Sequence, residues 1–173
     1  MNRIFCLFSF LLLTLLLSAQ PKIENMNNVD INKYAKTWYE IGRFPHRFEK
    51  KLTHVSATYQ ILPNGKISVL NKGYNAQNKL KQIKGIAWIP NLNESNKLKV
   101  RFFWPFAAPY WIEYLDHDYT IAIVGGPSKK YLWILADKPK IDDNTYQFLL
   151  NKAKELGYNI EKIEKVSQEK NTY

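Results

Sequence analysis

Hydrophobic and polar residues alternate along short segments of this chain. In residues 97–103, apolar Leu98, Val100 and Phe102 alternate with basic side chains, and residues 55–61 repeat the pattern with polar partners. A period of two is typical of a β-strand that buries one face and leaves the other in water. These two segments are therefore predicted to be strands of a sheet with one dry side.

Similar segments recur along most of the chain, joined by short links. The predicted strands are residues 38–44, 55–61, 67–74, 82–89, 97–103, 110–115, 120–125 and 131–136. An amphipathic helix follows, with Asp142 as its N-cap and Gly157 at its C-terminal end, and a short strand is expected within residues 160–166. This order predicts an all-β fold, an eight-stranded antiparallel up-and-down barrel with one C-terminal helix packed outside. Such a barrel has room for one small ligand.

Consecutive links of such a barrel alternate between its two ends. The links at 45–53, 74–81, 104–109 and 125–130 share one end, and those at 62–66, 90–96 and 116–119 share the other. The first set is longer and more aromatic, so we interpret it as the mouth. Pro45 ends the first strand there, because proline has no amide hydrogen for a central strand.

The N-terminus has the pattern of a secretory signal peptide. Arg3 precedes an apolar run at 4–17, and the small residues Ser18 and Ala19 follow. The run of 14 residues is shorter than the roughly 20 of a membrane span, and a retained anchor is the alternative. Gln20 stands where a bacterial lipoprotein would have cysteine. We expect export to the periplasm or the medium, with outer-membrane association left open.

The predicted division of the chain is a signal peptide at 1–19, an arm at 20–29, a barrel domain at 30–166 and a tail at 167–173. The only cysteine, Cys6, lies in the predicted signal peptide. The exported chain would therefore contain no disulfide and no thiolate metal site. His46, His54 and His117 have no shared metal-ligand spacing, and no catalytic motif is present. We predict no cofactor, no metal and no catalytic residue.

The formal net charge is +10, and removal of Arg3 with the signal peptide would leave +9. Such a charge favours anionic partners, namely lipid head groups, fatty carboxylates or nucleic acid. The alternative is a generally lysine-rich surface. The many aromatic residues suggest a stacking platform for single-stranded nucleic acid. They alternate with strand period, however, so most should line the interior, and nucleic-acid binding is not predicted.

Several segments, in order, resemble a known family. These are "TWYEIGRFPHRFEK" at 37–50, "LNKGYN" at 70–75, "FFWPF" at 102–106 and "YLWILADKP" at 131–139, with the helix that follows. From about residue 30 to 166 the chain resembles the bacterial outer-membrane lipocalins of the apolipoprotein D-like group. The resemblance implies a calyx that binds fatty acids, lysophospholipids or similar amphiphiles and that serves the bacterial envelope under stress. Some members pair as dimers, which leaves a homodimer open.

Two positions depart from the family pattern. Lys36 replaces the glycine of the G-x-W motif that ends at Trp38, and Asp137 occupies the position of an arginine that usually packs on this tryptophan. The resemblance therefore implies a closed end that is built differently from that of the family.

The expected ligand contacts lie inside the barrel and at its mouth. They are Tyr59, Val69, Trp88, Leu98, Val100 and Phe102 inside, and Arg47, Trp104 and Phe106 at the rim. Arg47, with Lys129 and Lys130, would hold an anionic head group, and the rim aromatics would form a lid or a peripheral membrane contact. The alternatives are another small hydrophobic ligand, an enzyme with the barrel as its pocket, and a membrane-surface protein with a filled barrel.

Overall fold

The computed structural model describes residues 28–46, 49 and 51–169. In this part of the chain, nine strands and two α-helices occur: α1 (Ile31–Tyr34), β1 (Thr37–Arg43), β2 (Thr53–Ile61), β3 (Ile67–Tyr74), β4 (Leu80–Trp88), β5 (Lys97–Phe103), β6 (Phe106–Leu115), β7 (Ile121–Gly125), β8 (Trp133–Ala136), α2 (Asp143–Glu155) and β9 (Glu164–Lys165). None of the described helices combines the length and apolar character of a membrane span. The predicted signal peptide and the candidate residue Arg47 lie outside the described residues.

Strands β1 to β8 form a closed antiparallel barrel. Each strand pairs with the next along the chain, and β1 pairs with both β8 and β2. Closure removes unpaired sheet edges. The predicted eight-stranded barrel with one helix outside it is thereby confirmed.

Strand β9 and the residues after it complete the wall near the mouth. Strand β1 pairs with β2 only over Thr37–Tyr39, so its later part needs other partners. The amide of Val166 donates to the carbonyl of Ile41 (2.9 Å), and the side chain of Gln168 donates to the carbonyls of Glu40 (2.8 Å) and Val55 (2.9 Å). The segment assigned to a tail from residue 167 therefore begins as part of the barrel wall.

Most strand bounds agree with the alternation pattern, and β3 and β5 occupy the predicted residues. Strand β6 begins at Phe106, four residues before the predicted start at 110. Pro109 made this segment look like a link, because proline cannot donate to a ladder. In the barrel Pro109 pairs with Lys99 next to a register shift between Val100 and Phe103, where the ladder tolerates a missing donor.

Helix α2 packs on the outside of the barrel, as its apolar stripe predicts. Leu149 and Ala153 are buried against Ile123 and Ile134 of the sheet. The side chain of Asp142 caps the first turn by accepting from the amide of Thr145 at 2.9 Å. Gly157, with φ +86°, adopts the left-handed conformation that ends the helix.

A short helix that the sequence pattern does not predict, α1, crosses the closed end of the barrel. The amide of Val29 donates to the hydroxyl of Ser95 (2.6 Å), which fixes the chain beneath the link at 90–96. Tyr34 then lies fully buried above Trp38, with ring centroids 5.0 Å apart. The indole nitrogen of Trp38 donates to the carbonyl of Tyr34 at 2.9 Å. The assignment of this end as the closed one is consistent with these contacts.

Lys36 supplies the cation that the closed end would otherwise lack. Its ammonium lies 4.9 Å from the ring centroid of Trp38 and donates to the carbonyl of Tyr119 at 2.5 Å. A cation over an indole face is the most favourable cation–π geometry. In the pattern of the resembled family, an arginine at position 137 packs on this tryptophan. Here Lys36, at the position of the usual glycine, packs on it instead.

Replacing Lys36 with methionine keeps the aliphatic stem but removes the charge and the hydrogen bond. We expect Lys36→Met to lower the free energy of unfolding by about 1–2 kcal/mol in urea denaturation. The matched control is Lys33→Met, because Lys33 lies farther from its ring, 5.7 Å from the centroid of Tyr119. The control should change stability little. Equal losses in both variants would contradict this role for Lys36.

Candidate ligand-binding site

Inward-facing side chains on β3 to β6 become more exposed towards the mouth. On β5, Leu98 is 2% exposed near the closed end, whereas Val100 and Phe102 are partly exposed. On β3, buried Val69 is followed by partly exposed Asn71 in the same inward register. The upper half of this wall is therefore accessible from the mouth, and most of its lining is apolar.

A glycine on β4 makes room for the largest ring on this wall. A Cβ atom at Gly85 would lie 2.7 Å from Cδ1 of Phe102 and 2.9 Å from the carbonyl oxygen of Arg101. Neither distance is compatible with a side chain, so glycine allows the Phe102 ring to lie directly on the neighbouring strand. The ring therefore covers the wall instead of crossing the interior.

Three tyrosine hydroxyls meet below this accessible region. The hydroxyl of Tyr110 lies 2.7 Å from that of Tyr34 and 2.8 Å from that of Tyr59. Burial raises the pKa of all three phenols, so they stay neutral and keep their protons. Two mutual hydrogen bonds use two of the three hydroxyl hydrogens. One O–H group of this tyrosine cluster is thus available to an acceptor in the interior.

Charged side chains from β1 and the link after it occupy the opposite side of the interior. Nη1 of Arg43 donates to Oε1 of Glu40 at 2.7 Å, and both side chains are almost fully buried. Oε2 of Glu49 lies 2.9 Å from Nε2 of His46 and accepts from the indole nitrogen of Trp133 at 3.1 Å. The interior is therefore mostly apolar along β3 to β6 and charged beside β1.

The two carboxyl groups have opposite pKa shifts. Burial and the nearby negative charge of Glu49 raise the pKa of Glu40 well above its usual value, although Arg43 opposes the shift. Burial acts to raise the pKa of Glu49, but the hydrogen bonds from His46 and Trp133 and the charges of His46 and Arg43 together lower that pKa. Glu49 is thus the more readily ionised group, and Arg43 is the cation that limits the cost of burying both.

Nε of Arg43 and Oδ1 of Asn71 are among the buried side-chain atoms that lack a partner within the described residues. One is a donor and the other an acceptor, and both residues face the interior. A buried polar atom without a partner carries a desolvation cost that a polar ligand atom would remove. Together with the tyrosine cluster, these atoms can bind the polar group of an amphiphile.

The structure brings together five of the six residues expected inside the barrel. Tyr59, Val69, Leu98, Val100 and Phe102 all belong to the inner cluster or pack against it. Trp88 does not, because it pairs with Lys99 on the outer face and lies under the guanidinium of Arg101, 5.8 Å from its ring centroid. The neighbouring Ala87 faces inward in its place.

At the rim, Trp104 and Phe106 are 82% and 77% exposed at the turn between β5 and β6. Lys129 and Lys130 line a cleft of about 500 Å³ on the outside of the barrel with Phe44 and Glu161. Lys129 pairs there with Glu113 at 2.6 Å, so it does not face the interior.

The sequence pattern missed the polar part of the site. Glu40 follows Trp38 in strand register, but a charged residue is not expected inside a barrel. Arg43 faces inward only because a register shift between Glu40 and Gly42 changes the side to which later residues point. The inward position of Tyr110 could have been predicted from the sequence, because Tyr110 lies two positions from Ile112 and so shares its face of the strand.

Comparison with known proteins identifies the family. Residues 29–168 match the model of the lipocalin-like domain. The chain is 42% identical over 144 residues to the outer membrane lipoprotein Blc of Escherichia coli K12, covering 83% of this chain and 81% of that protein. It is 36% identical over 149 residues to apolipoprotein D of Macaca fascicularis, covering 82% and 78%.

The chain belongs to the lipocalin family. Among solved structures, insecticyanin of the tobacco hornworm Manduca sexta superposes with a TM-score of 0.67 at 21% identity, over 85% of each chain. That similarity supports the barrel fold. The family implies binding of a small hydrophobic ligand. In the described part of this lipocalin, no three His, Cys, Asp or Glu side chains are grouped so that they could hold a metal ion.

Replacing Arg43 with methionine removes the cation between Glu40 and Glu49. We expect a loss of about 3 kcal/mol in the free energy of unfolding at neutral pH. Without Arg43 the folded-state pKa values of both carboxyl groups rise, so the loss should shrink as the pH falls and the groups take up protons. Urea denaturation at neutral and mildly acidic pH measures both effects.

The control for this variant is Arg101→Met, which removes an arginine from the outer face of the same barrel. It should alter stability little at either pH. A loss for Arg43→Met that is small, or that stays constant between the two pH values, would contradict the described role of the ion pair.

Proposed function

We propose that this lipocalin binds one amphiphilic lipid, such as a fatty acid or a lysophospholipid, inside the barrel and stores or transports it. The increase in exposure of inward-facing residues towards the mouth carries this proposal, because it gives a ligand a path to an apolar lining. The similarity to proteins named outer membrane lipoprotein Blc supports a role in the bacterial envelope as an exported protein. The proposal includes that the protein acts there under stress.

The two-sided interior suggests how an amphiphile is oriented. The acyl chain packs against Val100 and Phe102, and the polar group lies near Arg43 and the tyrosine cluster. Each buried methylene contributes roughly 0.8 kcal/mol, so the chain supplies most of the affinity. A charged group at the solvent-exposed rim adds no more than about 1 kcal/mol, and this limit applies to Arg47 if it lies at the rim.

The proposal is one of binding and not of catalysis. The buried acidic and basic groups of the described interior are paired with one another: Glu40 with Arg43, and Glu49 with His46 and Trp133. Such pairing suits the recognition of a polar group, and none of these contacts joins a hydroxyl or thiol nucleophile to a base.

Titration with a fluorescent fatty acid tests the proposal. We expect saturable binding near one ligand per chain, and Phe102→Asp should abolish it or reduce it at least about tenfold by placing a charge in the apolar lining. The matched control is Lys99→Asp, three positions away on the outward face of β5, which should bind normally. Circular dichroism establishes that both variants are folded. Absence of saturable binding, or equal binding by the two variants, would refute the proposal.

The exposed Trp104 at the mouth provides a second test. An indole there can cover the part of the ligand that leaves the barrel, so Trp104→Ala should weaken fatty-acid binding several-fold in the same titration. Trp88→Ala is the control, because Trp88 lies on the outer face, and it should leave the affinity unchanged. If only the Trp88 variant loses affinity, the ligand contacts the outside of the barrel instead.

A further inference from the structure

Basic and acidic residues are segregated between two halves of the barrel domain. Between Glu49 and Glu113 the sequence contains ten basic residues and one acidic residue, Glu94. From Glu113 to Glu169 it contains eight basic and ten acidic residues. The first stretch forms most of β2 to β6, and the second forms β7 to β9 and α2. One side of the molecule is therefore strongly positive, and the other is close to neutral.

The positive side has a continuous outward face on three neighbouring strands. Strands β3, β4 and β5 contain six basic residues and no acidic one. The residues between the inward-facing positions of these strands point outward. The outward positions include four basic residues, namely Lys72, Lys84, Lys99 and Arg101. Among the described residues none of these four forms an ion pair; Lys97 at the closed end of β5 does, with Glu94. We call this face the basic wall.

The two hairpins at the mouth end of the basic wall are apolar. The β3–β4 hairpin exposes Tyr74 and Leu80, and the β5–β6 hairpin exposes Phe103, Trp104 and Phe106. Trp88 and Trp111 lie lower on the same side and contact the cationic groups of Arg101 and Lys97. From the mouth towards the closed end, the apolar tips are followed by Lys72, Lys84 and Arg101, and the two tryptophan rings lie beyond these side chains. Apolar tips followed by basic side chains match the order of acyl chains and head groups at a lipid surface.

We propose that the basic wall docks this protein on an anionic phospholipid surface, with the two mouth hairpins entering the apolar layer. The lysines and Arg101 then lie at the depth of the phosphate groups, where they attract negative charge. In this orientation the mouth of the barrel opens towards the bilayer. The docked protein could exchange an amphiphile with the membrane without releasing it into water.

Other occupants fit this surface less well. A second copy of the chain would bring two basic walls together, and their like charges would repel. Single-stranded nucleic acid would need free aromatic faces along a charged groove. The exposed aromatics of the hairpins beside this wall instead lie at one end of it, and Trp88 and Trp111 are already in contact with cations of the protein.

Co-sedimentation of the purified protein with lipid vesicles tests the proposal. The protein is used as it is isolated from the cells that produce it. Vesicles of phosphatidylcholine alone are compared with vesicles that also contain phosphatidylglycerol, at low and high salt. The test variant is Lys84→Glu with Lys99→Glu on the basic wall. The control is Lys138→Glu with Lys154→Glu, which makes the same change in net charge on exposed lysines of the other side.

We expect the unaltered protein to prefer the anionic vesicles and to lose this preference at high salt. The wall variant should bind them about tenfold more weakly, and the control variant less than twofold more weakly. Fatty-acid titration in solution should be unchanged in the wall variant, so failure of docking and failure of ligand binding can be distinguished.

Three results would overturn the proposal. The first is an equal loss in the two variants, which would show that net charge alone attracts the protein. The second is undiminished vesicle binding by the wall variant. The third is a loss of affinity for a single-stranded oligonucleotide with vesicle binding intact, which would assign the wall to nucleic acid.

Discussion

The register shift in β1 is the feature that determines both how the barrel wall is completed near the mouth and the chemistry of the interior. After Glu40 the strand changes the side to which its residues point, so that Arg43 turns inward and forms a buried ion pair with Glu40. The same part of β1 is no longer paired with β2, and the chain fills the gap with β9 and the side chain of Gln168. The added strand β9 and the charged interior thus both begin at one irregularity.

The facing of residues in regular strands could be predicted from the sequence, whereas the facing of residues after the register shift could not. Alternation placed Val100 and Phe102 on the inward face, because a regular strand has a fixed period. It misplaced Trp88, whose strand register follows from pairing partners and not from its own sequence. It could not find Arg43, since a bulge shifts the register without any local signature. The contact between Lys36 and the Trp38 ring was not predicted either, because the sequence shows only that lysine replaces the usual glycine at this position.

The molecule has two kinds of asymmetry, and both relate to an amphiphilic ligand. Inside, the mostly apolar lining of β3 to β6 faces a polar side that contains Arg43, and the tyrosine cluster lies below it. Outside, the basic wall on β3 to β5 lies next to apolar hairpins at the mouth. In the proposed account the interior selects a molecule with a long apolar part and one polar group, and the exterior directs the mouth towards the surface where such molecules reside.

Native mass spectrometry of protein purified without detergent shows whether the barrel holds one amphiphile. We expect a population that carries one additional mass per chain, which denaturation releases as a lipid with a single polar head. Replacement of this mass by an added fatty acid should occur at one molecule per chain. A spectrum that shows only the bare chain, and that remains unchanged after excess fatty acid is added, would show that the barrel holds no such ligand.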